Sequence, residues 1–145
     1  HNDGIPPNLN RVCAFNSSFV DKIKQWFDLN LQRLSSFNIP FNKITLDPGI
    51  GFGKSRYHNL CIINSLSAFK VKGCKLMVGH SRKGYIRCFS STEIAERDIE
   101  TLAVSDYMYQ QFNVDYIRVH NISYHQRFFS GKNVLSNLST KGMVL

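Results

Sequence analysis

The sequence predicts an α/β fold of short parallel strands joined by helices. Three observations predict it. Apolar residues recur at threes and fours in the helical stretches, short strand-like runs stand between them, and glycine-rich or polar loops follow the strand ends. The resulting order is helix, strand, helix, strand, helix, strand, helix, which requires right-handed crossovers between parallel strands.

The opening from His1 to Asn10 is rich in Pro, Gly and Asn and reads as a loop. Asn16-Ser17-Ser18 offers N-cap oxygens for a helix whose apolar positions are Phe19, Ile23, Trp26, Phe27, Leu31 and Leu34. Ile39-Pro40 is expected to end it. A strand from Lys43 to Asp47 stops at Pro48 and the loop Gly49-Ile50-Gly51-Phe52-Gly53-Lys54. The second helix carries Leu60, Ile63, Leu66 and Phe69 on one face, and Gly73 closes it. Leu76 to Val78 forms the second strand and runs into Gly79-His80-Ser81-Arg82-Lys83-Gly84. A third helix is expected from about Glu93 to Phe112, a third strand from Asp115 to His120, and a last helix from about Tyr124 to Leu138.

Length and composition agree with one folded unit. A chain of 145 residues can bury a core, and 43% hydrophobic with 19% charged residues is globular rather than disordered. The net charge of +8 is spread without a run of five, which suits an anionic small molecule and gives no expectation of nucleic acid. Cys13, Cys61, Cys74 and Cys88 form no C-x-x-C pair, so reduced structural thiols in a cytoplasmic protein are expected. No apolar run is long enough to cross a bilayer, no signal peptide opens the chain, and no membrane partner is expected.

Polar residues collect beyond the C-terminal end of each strand: Asp47 with its loop, Ser81-Arg82-Lys83, and Arg118 with His120. In βα folds that rim is where sites are built, so the three clusters should share it. The alternating glycines after Asp47 let backbone approach a planar ligand. Asp47 is suited to accept paired hydrogen bonds from an aminopyrimidine edge, or simply to cap the turn. Lys83 can donate to a carbonyl or ring nitrogen, or belong to a solvated basic turn. Arg118 and His120 alternate along a strand, face one side and suit an anion. Gly53-Lys54-Ser55 ends like a P-loop, but Pro48 stands where the first glycine is needed, which weakens a nucleotide-hydrolase reading. His58, His80 and His125 have no metal-triad spacing and are assigned no chemistry, and no serine sits in a nucleophile elbow.

Taken together, Leu46-Asp47-Pro48-Gly49-Ile50-Gly51-Phe52-Gly53-Lys54, His58-Asn59-Leu60, Val78-Gly79-His80-Ser81-Arg82-Lys83 and Arg118-Val119-His120-Asn121 resemble the dihydropteroate synthase family in content, order and interval. The resemblance implies that residues 1–145 are the C-terminal part of a pterin-binding (β/α)8 barrel, with three parallel strands, flanking helices and the barrel incomplete in this chain. It implies condensation of 6-hydroxymethyl-7,8-dihydropterin diphosphate with p-aminobenzoate in folate biosynthesis. Asp47 and Lys83 would be catalytic. Asp47, Lys83 and Gly79 would hold the pterin; Gly51, Phe52, Ser81 and Lys83 the p-aminobenzoate; Arg118 and His120 the pyrophosphate. A carboxylate at Asp47 would stabilise positive charge developing on the pterin as pyrophosphate leaves, by about 4 kcal/mol at roughly 4 Å and an effective dielectric near 20.

The same resemblance implies Mg²⁺ held by an N-terminal half, no metal ligand within this chain, a homodimer, and a complementary N-terminal half as partner. A non-catalytic fragment of such an enzyme is the competing reading. Three departures from the family pattern are Gly84 after Lys83, Asn121 after His120, and Glu100-Thr101-Leu102-Ala103 where the family has a glycine first.

Overall fold

The structure is a computed structural model that describes residue 1 and residues 19–140, with side chains to residue 137. The predicted opening loop beyond His1 and the N-cap at Asn16 to Ser18 lie outside the described residues. Helix α1 spans Phe19–Ser36 and buries Phe19, Ile23, Phe27 and Leu31, one per turn. Trp26, expected on that face, is 39% exposed. The chain leaves α1 through Asn38 at φ 58°, not at Pro40, and Ile39 N–H bonds back to the Leu34 carbonyl at 3.2 Å. Asn tolerates that left-handed turn, so the stop precedes the proline.

Strand β1 is Thr45–Leu46, β2 is Lys75–Val78 and β3 is Tyr116–Ile117, in spatial order β1-β2-β3. All pairings are parallel, with Leu46 opposite Leu76 and Val78 opposite Ile117. The sheet does not close on itself. The third strand is shorter than expected; beyond it only Arg118 continues the ladder, its N–H bonded to the Val78 carbonyl at 2.9 Å. The Asp115 carboxylate takes the Leu76 N–H at 2.9 Å and Lys75 Nζ at 2.8 Å, which pins the start of β3 to β2.

Helix α2, Arg56–Asn64, begins at a capping box in which the Ser55 hydroxyl accepts the His58 N–H at 3.1 Å. His58 is buried and stacks on Phe19 with centroids 4.2 Å apart, so its role is to join the cap to the core. The expected second helix divides at Ser65, whose ψ of 20° converts the chain to a 3₁₀ turn over Leu66–Phe69. Leu66 and Phe69 still reach the core from that tighter turn. The third helix starts later than expected. A 3₁₀ turn at Ile94–Glu96 precedes α3, Asp98–Phe112, which has Asp98 and Glu100 in its first turn and ends at Asn113, φ 46°. Helix α4 spans Ile122–Thr140 and starts two residues before the expected position, because the Asn121 side chain caps it by accepting the Tyr124 N–H at 3.1 Å.

One core joins these elements. Ile23, Phe27, Ile50, Ile62, Leu66, Phe69, Leu76, Val78, Ile86 and Met108 are all buried in it. It packs α1, α2 and α3 against the sheet.

Candidate ligand site at the strand ends

The loop after β1 is set by a lysine. Lys54 is buried, and its Nζ donates to the carbonyls of Gly49 and Phe52, each at 2.9 Å, and of His1 at 3.3 Å. An ammonium turned onto its own loop's carbonyls is not available to cradle phosphate, which argues against the P-loop reading. Asn59 from α2 completes the loop by accepting the Gly51 N–H at 2.7 Å. Gly51, at φ 82°, leaves room that Lys83 uses: a β-carbon there would lie 2.6 Å from Lys83 Cδ.

Asp47 divides its work. Oδ1 accepts the Gly49 N–H at 2.7 Å, which is the turn-capping role, while Oδ2 lies 4.0 Å from Arg118 Nη2. Lys83 crosses from the second loop to the first. Its Nζ bonds the Ile50 carbonyl and stands 4.4 Å over the Phe52 ring. Burial pulls the Lys83 ammonium down to about 8, with Asp47 opposing and Arg118 adding to the shift.

On the third strand end, Arg118 reaches back over Gly79, where a β-carbon would be 2.7 Å from Nη2. His120 is held by Ser81, whose Oγ is 2.8 Å from Nδ1 and accepts the His120 N–H at 3.2 Å. Ser81 is buried, so its hydroxyl acts chiefly through His120. The result is a cavity of about 380 Å³ lined by Phe52, Gly79, Ser81, Lys83, Arg118 and His120. Asp47 and Gly51 stand behind that lining, one against Arg118 and the other beneath Lys83. The cavity therefore presents three cationic or donor groups around one aromatic wall, an arrangement for an anion attached to a flat ring.

Sequence reasoning missed several residues that build this site. Arg82, given no role of its own in the sequence reading, sits at φ 57° and pairs with Asp98 through Nε at 2.7 Å and Nη2 at 2.9 Å. Asn121 also donates to Asp98 Oδ2 at 2.8 Å, tying the third rim segment to the second. Arg97 is fully buried and donates to the Thr92 carbonyl at 2.8 Å and the Arg82 carbonyl at 3.3 Å. A buried arginine at the foot of α3 carries no local sequence signal. Among the described residues no three His, Cys, Asp or Glu side chains gather to hold a metal.

Donors converging from the C-terminal ends of parallel strands define a βα ligand-binding domain of the barrel kind. A sequence model of the pterin binding enzyme family matches residues 1–120, and the chain belongs to that family. It is similar to the folate synthesis bifunctional protein of Chlamydia caviae, 31% identical over 130 residues, which is 90% of this chain and 29% of that one. It is also similar to the dihydropteroate synthase of Escherichia coli, 30% identical over 84% of this chain and 43% of that one. Among solved structures, dihydropteroate synthase from Anaplasma phagocytophilum with bound 6-hydroxymethylpterin-monophosphate superposes with TM-score 0.82 at 29% identity, over 93% of this chain and 53% of that one. The Thermus thermophilus enzyme in complex with 4-aminobenzoate gives TM-score 0.73 at 26% identity, over 83% and 46%. The chain thus spans less than half the length of the two curated relatives.

Proposed function

We propose that residues 1–145 form the C-terminal part of a pterin-binding (β/α)8 domain that condenses 6-hydroxymethyl-7,8-dihydropterin diphosphate with p-aminobenzoate. The observation that carries this is the convergence of Lys83, Arg118 and His120 on the cavity walled by Phe52. In the reaction the C–O bond from the pterin methylene to diphosphate breaks, the arylamine nitrogen forms the new C–N bond, and the amine releases a proton.

Arg118 and His120 supply donors to the departing diphosphate, where charge accumulates as the C–O bond stretches. Lys83, with its partly desolvated ammonium, faces both the pterin and the aminobenzoate. Phe52 offers a face for the aminobenzoate ring, and Ser81 shapes that end of the cavity through His120. Gly79 admits the pterin edge and the Arg118 guanidinium together. Asp47 holds negative charge behind the site, where a cationic pterin transition state would gain from it. Magnesium belongs to this reading only through the family resemblance. Among the described residues no three His, Cys, Asp or Glu side chains gather to hold it.

The open sheet and partial span favour an arrangement in which an N-terminal half completes the barrel, with dimerisation through the last helices and a cytoplasmic location as further expectations. No helix among the described residues is long and apolar enough to cross a membrane. The test is product formation from dihydropterin diphosphate and p-aminobenzoate by this chain, alone and joined to the N-terminal half of a relative. Dihydropteroate from the joined, folded barrel supports the reading, and its loss on Lys83→Ala or Arg118→Ala without unfolding supports the site. Silence from a folded joined barrel would sink the reading; activity only after joining favours the incomplete-fragment view of the chain by itself.

A further inference from the structure

Behind the site lies a buried polar chain that the proposed chemistry does not use. Tyr85 Oη is 2.8 Å from His80 Nδ1, and His80 Nε2 is 2.9 Å from Ser105 Oγ. Ser105 Oγ is 2.8 Å from His125 Nε2, and His125 Nδ1 is 2.9 Å from the Asn121 carbonyl. Tyr85, His80, Ser105 and His125 are all buried.

The far end of this chain determines the rest. The Asn121 carbonyl only accepts, so His125 Nδ1 carries the hydrogen. A neutral His125 then presents a lone pair at Nε2, which obliges the single Ser105 hydroxyl proton to point there. Ser105 is left as acceptor toward His80, so His80 is protonated at Nε2 and bare at Nδ1. Tyr85 therefore donates to Nδ1. Burial holds the tyrosine in its protonated form and pulls His80 down to about 3, so both stay neutral, as this polarity demands.

The two ends of the chain flank the anion-binding pair. His80 precedes Ser81, and Asn121 follows His120, while Ser81 Oγ and His120 Nδ1 bond each other at 2.8 Å. We propose that Tyr85, His80, Ser105 and His125 are positioning residues, a hydrogen-bond relay of single polarity that fixes the Ser81–His120 pair so that His120 Nε2 is presented as a donor to the diphosphate. The diphosphate part rests on the function proposed above; the polarity does not. The relay draws on three parts of the fold, namely the loop after β2 with His80 and Tyr85, α3 with Ser105 and α4 with His125, so it also locks those three together at the rim.

Nitrogen-15 spectra of the histidine-labelled chain at about pH 8, where imidazoles are ordinarily neutral, read the tautomers directly. Protonation at Nε2 in His80 and at Nδ1 in His125 is expected. Because Nε2–H is the form favoured in water, an Nε2–H or averaged His125 overturns the relay. Titration with inorganic pyrophosphate gives the second reading: Ser105→Ala is expected to weaken binding about tenfold, equal to about 1.4 kcal/mol, with Ser105→Thr recovering part of it. Should Ser105→Ala fail to fold, Tyr85→Phe removes the first donor while keeping the ring, and the same direction is expected. Unchanged affinity in a folded variant overturns the positioning role. Failure of the unmutated chain to bind pyrophosphate, with the tautomers as assigned, overturns the anion reading of Arg118 and His120 and with it the relay's purpose, but not its polarity.

Discussion

The Arg118 guanidinium packs so closely on Gly79 that a methyl group there would stand 2.7 Å from Nη2. The glycine is needed for its emptiness. Its φ lies outside the left-handed range, so the position tolerates a side chain in backbone terms and excludes one only by contact.

Gly79→Ala is therefore expected to fold with a stability change below about 1 kcal/mol, because the displaced group is the end of a flexible, exposed side chain. Pyrophosphate affinity should nevertheless drop by about fivefold to tenfold as the guanidinium is pushed from its place. Calorimetric titration beside a thermal melt checks both halves; a large melting shift with intact binding contradicts the assignment.

Lys83 sets the alkaline limit. Its ammonium is charged below about 8 and neutral above, so binding that needs the cation should decline as pH rises through that value. The unfolded chain, with an ordinary lysine, still holds its proton there, so stability from this group increases with pH across the same window. Binding and stability should thus move in opposite directions. Lys83→Arg should remove the alkaline decline in binding, which a pH series of titrations would reveal.

Lys54 is expected to matter for folding rather than for ligand charge. Lys54→Met removes donors from buried or half-buried carbonyls of the first loop and should cost about 2 kcal/mol. Denaturant unfolding measures it. Pyrophosphate affinity lost with stability unchanged would instead place the ammonium at the ligand.

Asp98 joins two rim segments by accepting from Arg82 and Asn121. The bond from Arg82 is the main reason its carboxyl is held down to about 2. Its contribution is complete above the ordinary carboxylate range and is lost as pH falls toward about 2. Asp98→Ala should destabilise by about 1–2 kcal/mol at neutral pH, and the difference from the parent should shrink in acid. Melts at neutral and acid pH test the convergence.

Much of the fold was legible because the signals are local. The four-residue spacing of Phe19, Ile23, Phe27 and Leu31 marks a helix without reference to anything beyond it. The helix break at Ser65 was not legible, since Leu60, Ile63, Leu66 and Phe69 keep a helical rhythm through a 3₁₀ turn that serves the core equally well. Trp26 was misplaced for a related reason: periodicity names an apolar position but not how much of the neighbouring surface the rest of the fold covers.

By itself the sequence determined the alternation of elements, the rim on which the polar clusters lie and the resemblance to pterin enzymes, all carried by short contiguous motifs. Only the tertiary structure decided which groups share a cavity, that Asp47 and Gly51 stand behind it, and that Lys54 turns inward. It alone brought His80 to Ser105 and Ser105 to His125, across sequence separations of 25 and 20 residues. The physical reason is common to all of these. A crossover helix carries each strand end to its neighbour, and a buried polar atom must then find whichever partner that packing places within about 3 Å.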